Sequence, residues 1–353
     1  MGGGGKDSDD FRKFGPYHII SVDWTDSYHR AAVAASMING VYVMQRDKAK
    51  KREPLADLWW EFFGFSRVER LINDADGSIY GAVFENNNYH NTSMAPRYVI
   101  AFRGTLLHFK TGFSDMKQNL RCIWANLREG ERLQHAIQAI KTVLDRPTCK
   151  PTSVWLAGHS LGAGIALMAG KQMARSGVLL ETYAFNPPHT SVPVEQVLEN
   201  EVVKGGFRFA NTLFRGTLST VASLFDSQIR DDDPIVAEWR PQLYVNSADI
   251  ICSEYIADFK HKNRMARFLL EGIVRARDRI SFRSLVFGEG TLSSLSAEPV
   301  QLLSSADMII NKNDSTRLVQ LLKHPWKPHK LKQWWEPDPA LRANWKIRSI
   351  TKS

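Results

Sequence analysis

Cysteine is scarce in this chain: Cys122, Cys149 and Cys252 are the only three in 353 residues, far apart and in no C-x-x-C pair. That spacing argues against a disulfide framework or a thiolate zinc site and points to a reducing compartment, the cytoplasm. Long apolar runs are missing as well; no stretch approaches the ~18 consecutive apolar residues that a membrane span needs. Met1 to Asp10 is glycine and charge without an apolar core. No secretory signal is therefore expected, and residues 1–15 read as a disordered leader. Gly2 would suit myristoylation, but Lys6 stands where that motif wants Ser or Thr. Acidic residues are outnumbered, 37 against 46 Lys and Arg, for a net charge of +9. Such an excess attracts nucleic acid or an anionic membrane surface. No nucleic-acid-binding motif accompanies it, so nucleic acid is not an expected partner. Asp231-Asp232-Asp233-Pro234 has no second carboxylate cluster beside it and reads as a solvated turn, leaving no metal site. There is no internal repeat and no convincing boundary. Residues 16–345 read as one domain and 346–353 as a basic tail.

What the chain does have is Gly158-His159-Ser160-Leu161-Gly162. The β-branched and aromatic run Ser153 to Ala157 before it reads as a buried strand. The alanine-rich run Ala163 to Ala174 after it reads as a helix. A G-x-S-x-G between a strand and a helix is a nucleophile elbow. Glycines two before and two after the serine let two backbones pass without a Cβ clash, while the serine takes strained dihedrals. That strain lifts the Ser160 hydroxyl above the sheet, toward the positive end of the next helix. Leu161 then offers a backbone N–H to a developing oxyanion. A chance glycine-rich turn is the bland alternative; the strand, the helix and the small residues Ala163, Gly164 and Ala166 speak against it.

Along the chain, residues 23–46 read as a helix capped by Asp23 or Thr25, with Tyr28, Ala31, Ala35, Ile38 and Tyr42 near helical spacing. The aromatic cluster Leu58 to Phe65 reads as buried packing rather than a lipid-facing patch. Residues 78–85 and 97–102 look like neighbouring antiparallel strands joined by a polar loop. Helices are expected over 116–127 and 129–144, the second with a stripe of Leu133, Ile137, Ile140 and Leu144. Residues 182–185 and 242–246 read as further strands. The basic run 260–283 reads as one face of an exposed helix, with contact to an anionic membrane as the sharper alternative.

A serine hydroxyl is too weakly acidic to attack an ester unaided; it needs a base, and the base needs a carboxylate to hold its tautomer. Behind an elbow those partners follow in the order Asp or Glu, then His, each from a loop after a strand. Asp249 fits, just past a strand and well downstream of Ser160; Asp226 and Asp258 are the substitutes. His261 follows Asp249 too closely to leave room for another strand. His324 and His329 are both late and flanked by prolines, and the residues alone leave both open.

Ile100-Ala101-Phe102-Arg103-Gly104-Thr105, the elbow, and the strand before Asp249 together resemble class 3 lipases, the fungal-lipase-type α/β-hydrolases. Tyr244-Val245-Asn246, Ile251-Cys252-Ser253-Glu254-Tyr255 and Lys332-Gln333-Trp334-Trp335 resemble a plant subfamily often labelled GDSL esterase/lipase, although no GDSL box occurs here. The resemblance runs from about Val22 to Asp338. In that subfamily a glycine follows the histidine before the Trp-Trp pair. This chain has Lys330 there, and the match selects His329 over His324. The resemblance also implies that Thr105 joins Leu161 in the oxyanion hole and that residues 106–115 occupy the place of a lid. The fold it implies is one α/β-hydrolase domain, a mostly parallel central sheet flanked by helices. The activity it implies is hydrolysis of acyl lipid esters through an acyl-enzyme, without cofactor or metal; a non-catalytic lipase-like binding or signalling protein is the alternative.

Overall fold

In the computed structural model, eight strands form one sheet in strict chain order, β1-β2-β3-β4-β5-β6-β7-β8. The structure describes residues 9–90, 94–105, 131–188, 234–249, 251–253, 255–256, 303, 305–313 and 327–350. The strands are β1 (Phe65–Ile72), β2 (Ile79–Asn86), β3 (Tyr98–Phe102), β4 (Val154–His159), β5 (Glu181–Phe185), β6 (Gln242–Asn246), β7 (Ala306–Asn311) and β8 (Lys346–Ile350). The first three pair antiparallel, with Gly81 opposite Phe102. From β3 to β7 every pairing is parallel, and β8 returns antiparallel on β7. Parallel neighbours need long crossovers; helices α4 and α5 below lie in the first two of them.

Five helices matter for the site: α1 (Phe11–Phe14), α2 (Ser27–Lys50), α3 (Leu58–Glu61), α4 (Glu131–Leu144) and α5 (Leu161–Arg175). Side chains alternate across a strand, and the alternation in β3 and β4 divides the core in two. Val99, Ala101, Trp155 and Ala157 join a core built with α2 and α3. Ile100, Phe102, Val154 and Leu156 join a second core with Leu133, Ile137 and Ile140 of α4 and Ile165, Ala166 and Ala169 of α5. α2 is no half-exposed helix: it is buried on all sides from Ala31 to Ile38 and again from Gly40 to Met44. The aromatic cluster covers it, with Trp59 and Trp60 buried, so the reading of that cluster as packing holds.

Four expectations need correction. The cap of α2 is Asp26, which accepts from Tyr28 N at 2.8 Å; Asp23 instead accepts from Thr25 N and Oγ1 in the turn before it. Residues 9–15 are not a disordered leader, because Phe11 is buried against Trp59 and the buried Asp9 carboxylate pairs with Arg46 at 2.7 Å and Arg52 at 2.6 Å. The basic tail is strand β8 through Ile350. The span 16–345 also divides into two units. One unit is Met1–His189, Asp232–Ser253 and Leu303–Ser353; the other is Thr190–Asp231 and Glu254–Leu302. The expected helix 116–127, the lid segment 106–115, the basic run 260–283, the Asp231–Asp233 turn, Asp226, Asp258 and His324 lie outside the described residues. Among the described residues, no helix is long and apolar enough to cross a membrane.

Candidate active site

β4 runs straight into Ser160, which caps α5 with φ 53° and ψ −124°. A side chain in the positive-φ region costs of order 1–3 kcal/mol and persists only where its surroundings enforce it. They do so here from both sides. Ser160 N donates to Phe185 O at 2.9 Å, tying the turn to the end of β5, and Ala163 N donates back to Ser160 O at 2.9 Å. A Cβ on Gly158 would sit 2.2 Å from Gly162 O, so only glycine lets the strand and the helix pass this closely. Leu161 N–H opens α5 and, like every first-turn amide, has no acceptor within its own helix.

Asp249 sits in a turn just after β6, buried, with both carboxylate oxygens hydrogen-bonded. Oδ1 accepts from Ile251 N at 3.0 Å. Oδ2 accepts from His329 Nδ1 at 2.8 Å, Asn186 Nδ2 at 2.7 Å and Cys252 Sγ at 3.1 Å. Burial pushes this carboxyl up, but the His329 charge and the donors on Oδ2 outweigh it and hold the acid below its ordinary range. Burial and the Asp249 charge push the Cys252 thiol well up, so it stays a donor. An ionised carboxylate only accepts, so the hydrogen between Asp249 and His329 belongs to Nδ1. In the neutral ring that leaves Nε2 as the acceptor nitrogen. Among the described residues neither that nitrogen nor Ser160 Oγ makes a hydrogen bond.

His159 joins the two halves of the site. Its Nε2 lies 2.8 Å from the His329 carbonyl, its Nδ1 lies 2.8 Å from Tyr42 Oη, and its ring centroid is 4.8 Å from that of His329. A carbonyl only accepts, so Nε2 carries the hydrogen and Tyr42 donates to Nδ1. Tyr42 Oη in turn accepts from Gly104 N at 2.7 Å. Burial first, and the His329 charge second, push the His159 pKa down to about 3. Burial pushes Tyr42 up to about 12. Both groups are therefore neutral, and the direction of the chain is fixed from Gly104 through Tyr42 and His159 to the histidine loop.

That chain ends beside Ser160. A Cβ on Gly104 would lie 2.8 Å from Ser160 Cβ and 3.0 Å from His159 O. Thr105 follows, and its Oγ1 is buried with no hydrogen-bond partner among the described residues. Arg103 before it is buried and donates to Ile79 O at 2.6 Å and Gly104 O at 2.7 Å. The structure thus brings Asp249 and His329 into direct contact and sets Gly104, and with it Thr105, against Ser160. Tyr42, His159 and Asn186 were not singled out from the sequence. His159 lay inside the quoted motif, Tyr42 inside an apolar stripe, and Asn186 at the close of a strand; only the burial of their polar groups marks them.

A strand ending in a strained serine and continuing as a helix is the turn on which α/β-hydrolases mount their nucleophile, and the mostly parallel sheet around it is theirs as well. Within that class the chain belongs to the class 3 lipase family. Residues 90–212 match the family's model, Lipase (class 3). A GDSL esterase/lipase from Arabidopsis thaliana is 34% identical over 350 residues, spanning 94% of this chain and 95% of that protein. Among solved structures, a triacylglycerol lipase from Penicillium expansum overlaps 47% of this chain and 62% of its own length, at 15% identity and a TM-score of 0.30. Carboxyl esterase 2 from Tuber melanosporum overlaps 54% of this chain and 69% of its own length, at 14% identity and a TM-score of 0.27. The family is one of lipases and esterases, and its chemistry is hydrolysis of ester bonds.

Proposed function

We propose that the protein is a serine-dependent carboxylic ester hydrolase that turns over acyl lipids through an acyl-enzyme. The observation that carries this reading is the ordered pair at 2.8 Å, Asp249 holding the Nδ1 hydrogen of His329 and leaving Nε2 free to take a proton. Ser160 Oγ attacks the ester carbonyl carbon as its proton passes to Nε2. The oxyanion that forms accepts from Leu161 N–H and from Thr105. Collapse expels the alcohol, which leaves with the proton from Nε2, and an acyl-Ser160 ester remains. Water then attacks that ester, gives one proton to Nε2, and releases the acid as the proton returns to Ser160. The acyl-lipid substrate is the family's rather than one read from the site, because fold does not fix substrate. A cytoplasmic location, with the positive charge drawing the protein to an anionic membrane, belongs to the same proposal.

The test is labelling by a fluorophosphonate serine probe, comparing the native protein with Ser160→Ala, His329→Ala and His324→Ala. Labelling is expected to need Ser160 and His329 and to tolerate loss of His324. A folded native protein that stays unlabelled even with detergent would leave the non-catalytic binding reading in its place.

A further inference from the structure

The loop that carries His329 lacks the glycine that the family resemblance leads one to expect, with Lys330 in its place. Side-chain amides hold it instead. Asn186, Asn246 and Asn311 stand at the carboxyl ends of the neighbouring parallel strands β5, β6 and β7, all three essentially inaccessible to solvent. Asn246 and Asn311 are register partners and both donate to Gln333 Oε1, at 2.6 Å and 3.0 Å. Gln333 Nε2 passes the restraint on, donating to Pro328 O at 2.5 Å and Lys330 O at 2.9 Å, the carbonyls on either side of His329. Asn186 closes the row from β5. One hydrogen of its amide goes to Asp249 Oδ2 at 2.7 Å and the other to Pro328 O at 3.0 Å, while its Oδ1 accepts from Trp334 Nε1 at 2.8 Å.

The amide can sit only one way round. Turned over, its oxygen would face the Asp249 carboxylate and a carbonyl, and its nitrogen would face the Trp334 N–H. Its backbone is fixed as well, at φ 47°, where Asn is tolerated better than most residues. One side chain therefore restrains both members of the Asp249–His329 pair: the acid directly, and the histidine through the carbonyl that precedes it. Burying a fully satisfied amide here serves packing no better than an apolar residue would. Its donors are aimed at the two places that set the geometry and basicity of the pair.

We infer that Asn186 is a positioning residue for catalysis, with Gln333 completing the clamp on the histidine loop. This rests on the Ser160–His329–Asp249 reading. The experiment compares the full chain with Asn186→Asp, which keeps the shape, and Asn186→Gly, which keeps the positive φ without strain. It measures kcat and KM against pH on a p-nitrophenyl butyrate substrate, with thermal melts to establish folding and His329→Ala in parallel. Either change leaves Asp249 with less hydrogen bonding or more negative charge around it, which favours protonated His329. The expected result is a kcat roughly tenfold or more below native with KM within about twofold, and an acid limb of kcat/KM moved upward by about half a unit or more. A folded variant of either kind with the native kcat and acid limb, and only a lower melting temperature, overturns the inference while His329→Ala remains inactive. His329→Ala with native activity overturns the triad and this inference with it.

Discussion

Tyr42 Oη lies 2.8 Å from His159 Nδ1 although 117 residues separate them in the chain. Tyr42 comes from the middle of the buried helix α2, and His159 is the last residue before Ser160. The same hydroxyl accepts from Gly104 N, so one phenol sets the distance between the Gly104–Thr105 backbone and the serine turn. Tyr42→Phe removes it without opening much space and strands two buried polar groups. It should destabilise the fold by about 1–3 kcal/mol. Because Gly104 is then free to drift from Ser160, kcat should fall roughly tenfold with little change in KM, as misplacement near the reacting atoms predicts. Steady-state kinetics with denaturant melts would check both halves; an unchanged kcat would remove Tyr42 from the oxyanion loop's support.

His159 also makes stability depend on pH in a defined direction. Its pKa is about 3 in the folded chain, against an ordinary value of 6.5. As pH falls below 6.5, the unfolded chain takes up a proton that the folded chain refuses. Stability is therefore lost as pH falls from the unfolded value toward the folded one, by about 1.4 kcal/mol per pH unit from this group alone. The depressed Asp249 carboxyl adds a loss of the same sign at lower pH, beneath its ordinary value of 3.8. His159→Gln does not titrate, so its denaturant midpoint should vary less steeply between about pH 6 and pH 4 than the native midpoint does. Parallel curves would mean that His159 is charged in the native fold.

The elbow admits a sharper steric prediction. A methyl on Gly158 meets Gly162 O at 2.2 Å and the carbonyl carbon at 2.4 Å, and both are backbone atoms that cannot rotate away. Gly158→Ala should cost several kcal/mol, in the range of overpacked cores, and should abolish probe labelling of Ser160. A near-native melting temperature would mean that the helix can slide on the strand, and the enforced strain at Ser160 would lose its cause.

Much of this was legible in advance where local chemistry dictates structure. Gly158-His159-Ser160-Leu161-Gly162 can do little else between a strand and a helix, and β2, β3, α4 and β6 followed from alternation or an apolar stripe. Strand β1 escaped notice because its middle, Ser66 to Arg70, is polar or exposed, as an edge strand's is. β7 lies just past a serine-rich stretch that reads as loop, and β8 sits in what looked like a charged tail; both owe their pairing to neighbours rather than to propensity. The pairing of Asp249 with His329 was expected from chain order and family resemblance. The amides around it were not, since Asn186, Asn246 and Asn311 each look like ordinary strand-ending residues until the fold lines them up.

Thr105 offers the cleanest separation of stability from catalysis. Its Oγ1 is buried with no hydrogen-bond partner among the described residues, so the folded protein gains nothing from it there. A buried hydroxyl left unsatisfied is a cost, and Thr105→Val, close in shape, removes that cost. Melting temperature should stay level or rise slightly. If the hydroxyl waits for the oxyanion, the same change should lower kcat by about 10²-fold, the usual loss for one such donor, with KM nearly unchanged. Thr105→Ser, which restores a hydroxyl, should recover most of that loss. A Val variant with both native stability and native kcat would show that the backbone amides carry the oxyanion alone. A variant that loses stability as well would show that Oγ1 already has a partner in the resting protein, and the hydroxyl would then be structural.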